Sequence, residues 1–455
     1  MTGSVSRRRF LKLAGAGALG ALLAACAPAK APEPTQAPAG NQTVAAPAGS
    51  KKIVFSSYTW SGSEAAMRSI LDVFMKQNAN IQVEGQFVPS DYDAKVQTQI
   101  AAGTPPDVGI ASYGNTVTYA KSGVLLSLSE YVSRDSFPID KMQAAGVAQY
   151  RWNKGDFDTG AEGGDLWGLP SDAQGLIFAY NKKMFDDAGV KYPTDDWTWD
   201  DFVSAGKAIT KADQNKWGCM SPDVGLISTR PWPVWSAGGE MHTADFTKSS
   251  LDQPEAIEGL KWMWDLIYTY KISPQPGAAA QTGPFQSGQV AMNIDGVWAI
   301  ADYSNIKDFD WDIALLPKHP KTGKRTTDLE SDGWWIYKDS KDHESAWTLL
   351  KFLSDAGGEK LFADANYVIP PNMPDVAKDW YAQKPPEHRS KALDNLVQDA
   401  RKVDACYYEN GTIVSAFLPV LQKAFADGTD IEAACKDAAK VMTDELTKAR
   451  TKFSQ

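Results

Sequence analysis

The chain has 455 residues, of which 43% are hydrophobic and 22% are charged, as in an ordinary globular protein. Its length exceeds what a single hydrophobic core usually supports, so we expect two large lobes. The net charge of −10 argues against nucleic acid as a partner, because phosphate binding requires a basic surface.

The first 26 residues have the features of an export signal. Arg7 and Arg8, in "SRRRFLK" (6–12), resemble the twin-arginine export motif. The apolar stretch that follows is too short and too rich in glycine to be a good membrane span. It ends in "LAAC" (23–26), which resembles a bacterial lipobox, so Cys26 is expected to become the lipidated first residue of the mature protein. An ordinary soluble signal peptide is the alternative.

Residues 27–50 are mostly Ala, Pro, Gly, Thr and Gln. Such a segment buries too little apolar surface to offset its ordering entropy, so we expect a disordered tether and a folded body that starts near residue 51. The remaining cysteines are Cys219, Cys406 and Cys435. Their odd number leaves at least one free thiol, and a Cys406–Cys435 disulfide stays open as a prediction.

The first part of the body predicts alternating strands and helices. Apolar spacing predicts strands at 52–58, 81–88 and 107–112, with helices at 63–79 and 91–103 and a short helix ending near Gly123. This order implies a parallel sheet covered by helices on both faces. Ligands of such sheets bind beyond the carboxyl ends of the strands, where this sequence places Tyr58, Trp60, Ser112 and Tyr113.

A second set of α/β signals begins near Asp165. It predicts strands at 175–181 and 310–317, and helices at 196–210, 254–270 and 429–450. Between them, "TRPWPVW" (229–235) contains two prolines, which exclude a helix interior and a central strand. Trp232 and Trp235 are therefore expected in a loop, where they either face a ligand or fill a gap beneath the loop.

Other chemistry has little support in the sequence. The four histidines, at 242, 319, 343 and 388, lack metal-ligand spacing, and "DFDTGAE" (156–162) lacks the full calcium-loop pattern. The sequence has no G-x-S-x-G, phosphate-loop or dinucleotide motif. We therefore expect neither a metal nor a cofactor.

Several motifs in order along the chain carry a family resemblance. They are "AAGTPPDV" (101–108), "WGLPSDAQGLIFAYNKKMFDDAGV" (167–190), "WTWDDF" (197–202) and "FQSGQVAMNIDGVW" (285–298). The last has the spacing F-x-x-G-x-x-A-M-x-x-x-G-x-W. With these motifs the chain resembles the extracellular solute-binding proteins of ABC importers, in the sugar-binding group that includes maltose-binding protein.

The resemblance implies an α/β protein with the two-lobe periplasmic-binding-protein-like fold of type II, in which each lobe is a sheet flanked by helices. The N-lobe would comprise 51–155 plus 327–380, and the C-lobe 156–326 plus 381–455. A ligand would lie in the cleft, the lobes would close about a hinge, and a monomeric protein would pass its cargo to membrane permease subunits.

Sugar chemistry and matching motif positions nominate the ligand-binding residues. An indole ring covers the apolar face of a sugar, while carboxylates and amides pair with its hydroxyl groups. The candidates are Trp60, Glu64, Ser112, Tyr113, Asp172, Trp232, Trp235, Asp295, Trp298, Trp334 and Trp335. Glu64 has a helix N-terminal role as its alternative. Strand alternation predicts that one of Trp334 and Trp335 faces the cleft and the other packs inside.

The leading hypothesis is an exported, lipid-anchored protein that binds a mono- or oligosaccharide and catalyses nothing. Two rivals remain open. One is a secreted carbohydrate-active enzyme that uses two carboxylates, for which Asp172 and Asp295 are the candidates. The other is the same binding fold for a non-sugar solute such as a peptide or polyamine. The many tryptophans disfavour an oxyanion, which prefers helix N-termini and arginine.

Overall fold

The computed structural model describes residues 49–59, 62–160, 162–227, 230–277, 283–365, 372–382, 386–402 and 412–453. All of them belong to one compact unit, Ala46–Gln455. The predicted signal peptide with Cys26 and the candidates Trp60 and Cys406 lie outside the described residues. Ser112 and Tyr113 are described by their backbone alone.

Short strands alternate with helices along most of the chain. The strands are β1 (Lys51–Tyr58), β2 (Ile81–Val88), β3 (Val108–Ser112), β4 (Arg151–Trp152), β5 (Asp165–Leu166), β6 (Leu169–Pro170), β7 (Leu176–Asn181), β8 (Trp217–Cys219), β9 (Val290–Gly296), β10 (Trp311–Ala314), β11 (Thr327–Leu329), β12 (Asp332–Ile336) and β13 (Ala400–Lys402). The helices are α1 (Ser63–Gln77), α2 (Tyr92–Ala101), α3 (Thr116–Lys121), α4 (Ser129–Arg134), α5 (Ala144–Ala148), α6 (Lys182–Ala188), α7 (Trp199–Ile209), α8 (Val224–Ile227), α9 (Trp232–Ala237), α10 (Pro254–Tyr268), α11 (Ala299–Tyr303), α12 (His343–Ser354), α13 (Ala356–Asp364), α14 (Pro374–Ala382), α15 (Ser390–Asp399), α16 (Thr412–Asp427) and α17 (Ile431–Phe453).

The first sheet has the strand order β2-β1-β3-β12-β6. β1 runs parallel to β2 and β3, as the alternating strands and helices predict. β12, which comes from much later in the chain, runs antiparallel to both β3 and β6. The apolar face predicted for the first helix is buried in α1, through Met67, Ile70, Leu71 and Phe74. Burial of that face fixes the helix against the sheet.

The second sheet has the order β10-β7-β9-β8 and is mixed in direction. β7 is antiparallel to both of its neighbours, and β8 is parallel to β9. Every residue of β7 is buried, which agrees with its continuous apolar sequence. α7 begins at a capping box, in which Thr198 and Asp201 satisfy backbone N–H groups reciprocally. The predicted strands and helices of this part are therefore confirmed, with boundaries shifted by a few residues.

The chain passes between the two sheets at segments that the sequence located only in part. The first crossing is 171–175, between β6 and β7, and the second is 315–331, between β10 and β12. The chain returns to the second sheet once more after α13, because Ala392 and Leu393 of α15 pack with the core residues of β7 and β10. The predicted boundary at 155/156 comes before the first crossing, because β6 still pairs with β12. Phe157 nevertheless packs with the core of the second sheet. The turn between β4 and β5 therefore reaches the second core before the chain crosses.

The expected loop at "TRPWPVW" is instead the start of a short helix, α9 (Trp232–Ala237). Proline is tolerated in a first helical turn, whose N–H groups have no intrahelical partners, so Pro231 and Pro233 begin this helix rather than prevent it. Trp232 is 1% exposed, and its ring meets the rings of Trp199 and Trp262 edge-on.

The excess of tryptophan is largely explained by packing. Trp334, Trp335 and Trp347 are buried in the core of the first sheet, and Trp199, Trp232 and Trp262 in that of the second. Cys219 and Cys435 are buried free thiols in the second core, so Cys435 has no disulfide partner among the described residues. Composition alone therefore overstated the number of indoles available for a ligand.

We predict that Trp232→Ala lowers the free energy of unfolding by about 3–5 kcal/mol, the usual cost of emptying a buried indole site. Urea denaturation of the purified protein measures this loss. Tyr192→Ala is the matched control, because Tyr192 is 37% exposed and should cost far less. A loss below about 1 kcal/mol for Trp232→Ala would contradict its place in the core.

Candidate functional site

The first sheet presents a polar edge where β1 ends and β12 begins. Tyr58, the last residue of β1, donates a hydrogen bond from its hydroxyl to Oδ2 of Asp332. Asp332 lies directly opposite Ser112 in the pairing of β12 with β3. The carboxyl ends of β1 and β3 therefore meet the first residue of β12 at one rim, which is where topology places a ligand.

The two crossings pair with each other next to this rim. The backbones of Gln174 and Glu330 exchange two hydrogen bonds, at 2.7 and 2.8 Å. The side chain of Asp172 accepts from the backbone N–H of Asp332 at 3.1 Å and from Nε2 of Gln174 at 3.2 Å. Asp172 is only 2% exposed. The sequence nominated Asp172 as a partner for sugar hydroxyls, whereas the structure uses it to hold the two crossings together.

Asp172 and Asp332, the two neighbouring carboxyl groups at these crossings, disfavour each other's ionisation. Burial raises the pKa of Asp172 well above its usual range, and the charge of Asp332 raises it further. Burial also raises the pKa of Asp332, against hydrogen bonds from Tyr58 and Gln174 that lower it. Because like charges repel strongly when desolvated, we expect the pair to retain a proton at pH values where exposed aspartates are ionised.

A buried arginine that sequence reasoning missed links the second crossing to the second sheet. Nε of Arg230 lies 3.1 Å from Oδ2 of Asp328, and its Nη2 pairs with Glu330. The guanidinium carbon lies 4.6 Å from the centre of the Trp298 ring. The sequence does indicate that Arg230 is paired, since an arginine in an apolar stretch needs carboxylate partners. Which carboxylates supply them depends on a contact about a hundred residues away.

Asp295 and Trp298 lie together at the carboxyl end of β9. Oδ1 of Asp295 accepts from the N–H of Gly296 at 2.7 Å, and Oδ2 accepts from the Tyr303 hydroxyl at 3.0 Å. Burial raises the pKa of Asp295, although these hydrogen bonds and nearby Arg230 lower it. Trp298 is half-buried. Of the candidate residues whose side chains are described, these two are the pair that the structure brings together at a rim.

A cavity of about 420 Å³ lies at the carboxyl ends of the parallel strands β8 and β9. We call it the rim cavity, and its polar lining includes Asp223, Asn293, Asp295 and Gln422. Residues of α10, α16 and the segment after α10 supply apolar walls. Its size is within the usual range for small-molecule sites, and its mixture of apolar walls with a few polar groups is typical of them.

The other described candidates lie elsewhere. Trp334 packs against Phe55 and Phe362, and Trp335 packs against Tyr119. The expected alternation holds, but helices cover both faces of the first sheet, so neither ring reaches the rim.

Trp232 is in the second core, as described above. Trp235 is 5% exposed and lines a separate cavity of about 490 Å³. There the Arg401 guanidinium carbon lies 4.4 Å from the centre of its ring. Glu64 is exposed in the first turn of α1 and pairs with Arg68 at 2.7 Å, which fits the helix-terminal alternative.

One group of side chains within the described residues has the composition of a metal site. Asp312, Glu387 and His388 bring their ligand atoms within 4.8 Å of one another. Nζ of Lys182 lies 3.0 Å from Asp312 and 3.6 Å from Glu387. The ammonium group therefore already supplies the positive charge that these carboxylates require.

Comparison with known proteins matches residues 59–360 to the family described as bacterial extracellular solute-binding protein. A binding protein of Brucella abortus is 25% identical over 376 residues, covering 80% of this chain and 86% of the relative. A maltotriose-binding protein of Pyrococcus abyssi is 24% identical over 319 residues, covering 69% of this chain and 64% of the relative. The structure of a Listeria monocytogenes ABC substrate-binding protein in complex with cycloalternan superposes with a TM-score of 0.75, at 26% identity, covering 88% of this chain and 98% of that one.

We predict that Asp172→Asn stabilises the protein at pH 8 by about 1–3 kcal/mol, because it removes a charge that burial disfavours. The raised pKa of Asp172 means that its wild-type contribution is present at low pH and is lost as pH rises. The gain should therefore shrink towards pH 5, as urea denaturation at both pH values will measure. Asp213→Asn, at an exposed position, should show no such trend. A variant less stable than wild type at pH 8 contradicts the prediction.

Proposed function

Because the chain belongs to the family of bacterial extracellular solute-binding proteins, we propose that it is the substrate-binding component of an ABC importer. It captures a mono- or oligosaccharide between its lobes and delivers it to a membrane permease. The observation that carries this proposal is the position of Asp295 and Trp298 at the carboxyl end of β9, together with the two hydrogen-bonded crossings, which would act as the hinge. A relative named for maltotriose binding and a similar structure that holds cycloalternan support a carbohydrate as the ligand.

The chemistry of this rim suits a sugar. Trp298 is half-buried, and the part of its indole that Arg230 leaves uncovered offers a flat apolar surface for the C–H face of a sugar ring. Each oxygen of Asp295 already accepts at least one hydrogen bond. Oδ2 accepts from both Tyr303 and Asn293, whereas Oδ1 accepts from one backbone N–H alone, so Oδ1 retains a lone pair for a sugar hydroxyl. The hydrogen bonds that Asp295 already makes fix its orientation, which is what selectivity for a particular hydroxyl requires.

The proposed mechanism is closure of the lobes on the ligand. Bonds between Asp172, Gln174 and Asp332 join the two crossings, so rotation about them moves one rim relative to the other. A sugar that contacts Trp298 on one side and the rim at Tyr58 on the other favours the closed arrangement. The permease would then recognise that closed form.

A carbohydrate-active enzyme is the rival for which the sequence offered two carboxylates. Asp172 is buried and bonded within the hinge, which favours a binding protein. Incubation with oligosaccharides separates the two hypotheses, since an enzyme releases products while a binding protein leaves its ligand intact. A peptide or polyamine as the ligand of the same fold is the other rival, and a thermal-shift screen against saccharides tests it.

The family is extracellular, so the protein acts outside the cytoplasm. We further propose that the twin-arginine motif directs export and that lipidation of Cys26 anchors a monomeric protein at the outer face of the cytoplasmic membrane. The order of the two motifs supports this location. Within the part of the chain that the structure describes, no helix combines the length and hydrophobicity needed for a membrane span.

Trp298→Ala should weaken saccharide binding by about 2 kcal/mol, which is roughly thirtyfold in Kd, because it removes the proposed stacking surface. Isothermal titration with the best hit of the saccharide screen measures the change. Trp298→Phe should recover part of the affinity. Trp217→Ala is the matched control, since Trp217 is half-buried at the opposite end of β8. Equal affinity of Trp298→Ala and wild type would refute this role.

Cys26→Ser should move the protein from the membrane fraction to the soluble exported fraction, because the residue that accepts the lipid is lost. Immunoblotting of fractionated cells measures this shift. Replacing both Arg7 and Arg8 by lysine should instead retain unprocessed precursor in the cytoplasm, so the two motifs are tested separately. A Cys26→Ser variant that stays bound to the membrane would contradict lipid anchoring.

A further inference from the structure

The charged residues in the described lining of the rim cavity are all acidic. Its described lining includes the carboxylates of Asp223 and Asp295, and among those residues there is no lysine, arginine or histidine. Asp223 is exposed, and one of its carboxylate oxygens accepts from the N–H of Gly225 at 2.8 Å. Asp295 is fixed by its bonds to Gly296 and Tyr303. Two oriented carboxylates therefore belong to the lining of this cavity.

A basic residue close to this cavity is already engaged. The charge of Arg230 lowers the pKa of Asp295, but its guanidinium group pairs with Asp328 and Glu330. Asp302, from the following helix, adds further negative charge near Asp295. The positive charge that Arg230 brings to this region is therefore exceeded by the carboxylates around it, and an anionic ligand would be repelled.

The uncharged residues of the lining indicate what the uncharged part of the ligand is. The apolar walls include Ile267, Pro274 and Phe425. Gln422 supplies an amide that can both donate and accept hydrogen bonds. The amide nitrogen of Asn293 already donates to Asp295 and Tyr303, so Asn293 offers its oxygen as an acceptor. Apolar walls suit the C–H faces of a sugar ring, and amides suit its hydroxyl groups. The carboxylates favour a positively charged ligand, because a protonated amine gives them charge-assisted hydrogen bonds, which are stronger than those from neutral hydroxyl groups.

We infer that the saccharide bound by this protein carries a protonated amine, which lies between Asp223 and Asp295. This inference rests on the proposed function and adds the charge of the ligand to it. The overall charge of −10 acts in the same direction, since it attracts cationic ligands at low ionic strength.

Paired saccharides test the inference directly. Glucose, galactose and mannose are each compared with the 2-amino sugar of the same configuration, and the β-1,4-linked dimer of glucose with those of glucosamine and N-acetylglucosamine. Isothermal titration at pH 7 and low salt should give at least tenfold tighter binding for the amine in every pair that binds. The N-acetylated dimer keeps the nitrogen but not the charge, so it should lose that advantage. Added salt should also reduce it.

Two variants test whether the carboxylates of this cavity recognise the amine. Asp223→Asn and Asp295→Asn should each reduce the preference for the amine over its neutral partner by at least threefold. Asp213→Asn removes the same charge from an exposed position outside the cavity and should leave the preference unchanged. Because Asp223 is exposed, its substitution should leave the fold intact even if Asp295→Asn disturbs it.

The outcomes separate the amine from saccharide binding itself. Neutral sugars that bind as tightly as their amino partners would overturn the amine while leaving saccharide binding in place. An amine preference that neither cavity variant reduces would also overturn the assignment to this cavity. Binding of spermidine without binding of any saccharide, or no binding by any probe, would overturn the amine and the proposed function together.

Discussion

The hydrogen bonds between the two crossings are the constraint on which the rest of the site depends. Gln174 pairs with Glu330 through the backbone, and Asp172 binds the backbone of Asp332 through its side chain. These bonds fix the position at which β12 joins the first sheet and the position at which the chain enters β7 of the second sheet. The position of each rim relative to the hinge follows from them. Buried carboxyl groups are costly as structural elements, and they are retained at the point about which the protein would move.

Arg230 connects that hinge to the surface where a ligand would rest. It shares its charge between two acids of the second crossing and lies over the indole of Trp298. A ligand that displaces or reorients this guanidinium would alter contacts to the crossing as well as to the ring. Ligand contact and lobe position can therefore be coupled through one side chain, without a long chain of intermediates.

Periodicity predicted most of the fold but less of the site. The first three strands and the helices between them follow from apolar spacing, because local burial determines both. The placement of Trp334 and Trp335 does not, since alternation assigns opposite faces but cannot reveal that both faces are covered. Asp172 was nominated as a partner for sugar hydroxyl groups, but its burial could not be predicted, because its hydrogen-bond partner Asp332 belongs to a distant strand. Arg230 was not predicted as part of the site, because its carboxylate partners are also distant in the sequence. Asp295 and Trp298 were nominated together because one short motif carries both, and their role in binding stays a prediction.

The two buried thiols have a consequence for handling and for the life of the protein outside the cell. Cys219 and Cys435 are enclosed in the second core, and burial raises the pKa of both, that of Cys435 to about 12. Neither forms an appreciable amount of the reactive thiolate while the core is closed. Alkylating or oxidising reagents would therefore modify these two thiols only in molecules that have opened globally. In the folded protein these two thiols do not react. A mixed disulfide at either position would therefore show that the molecule had unfolded.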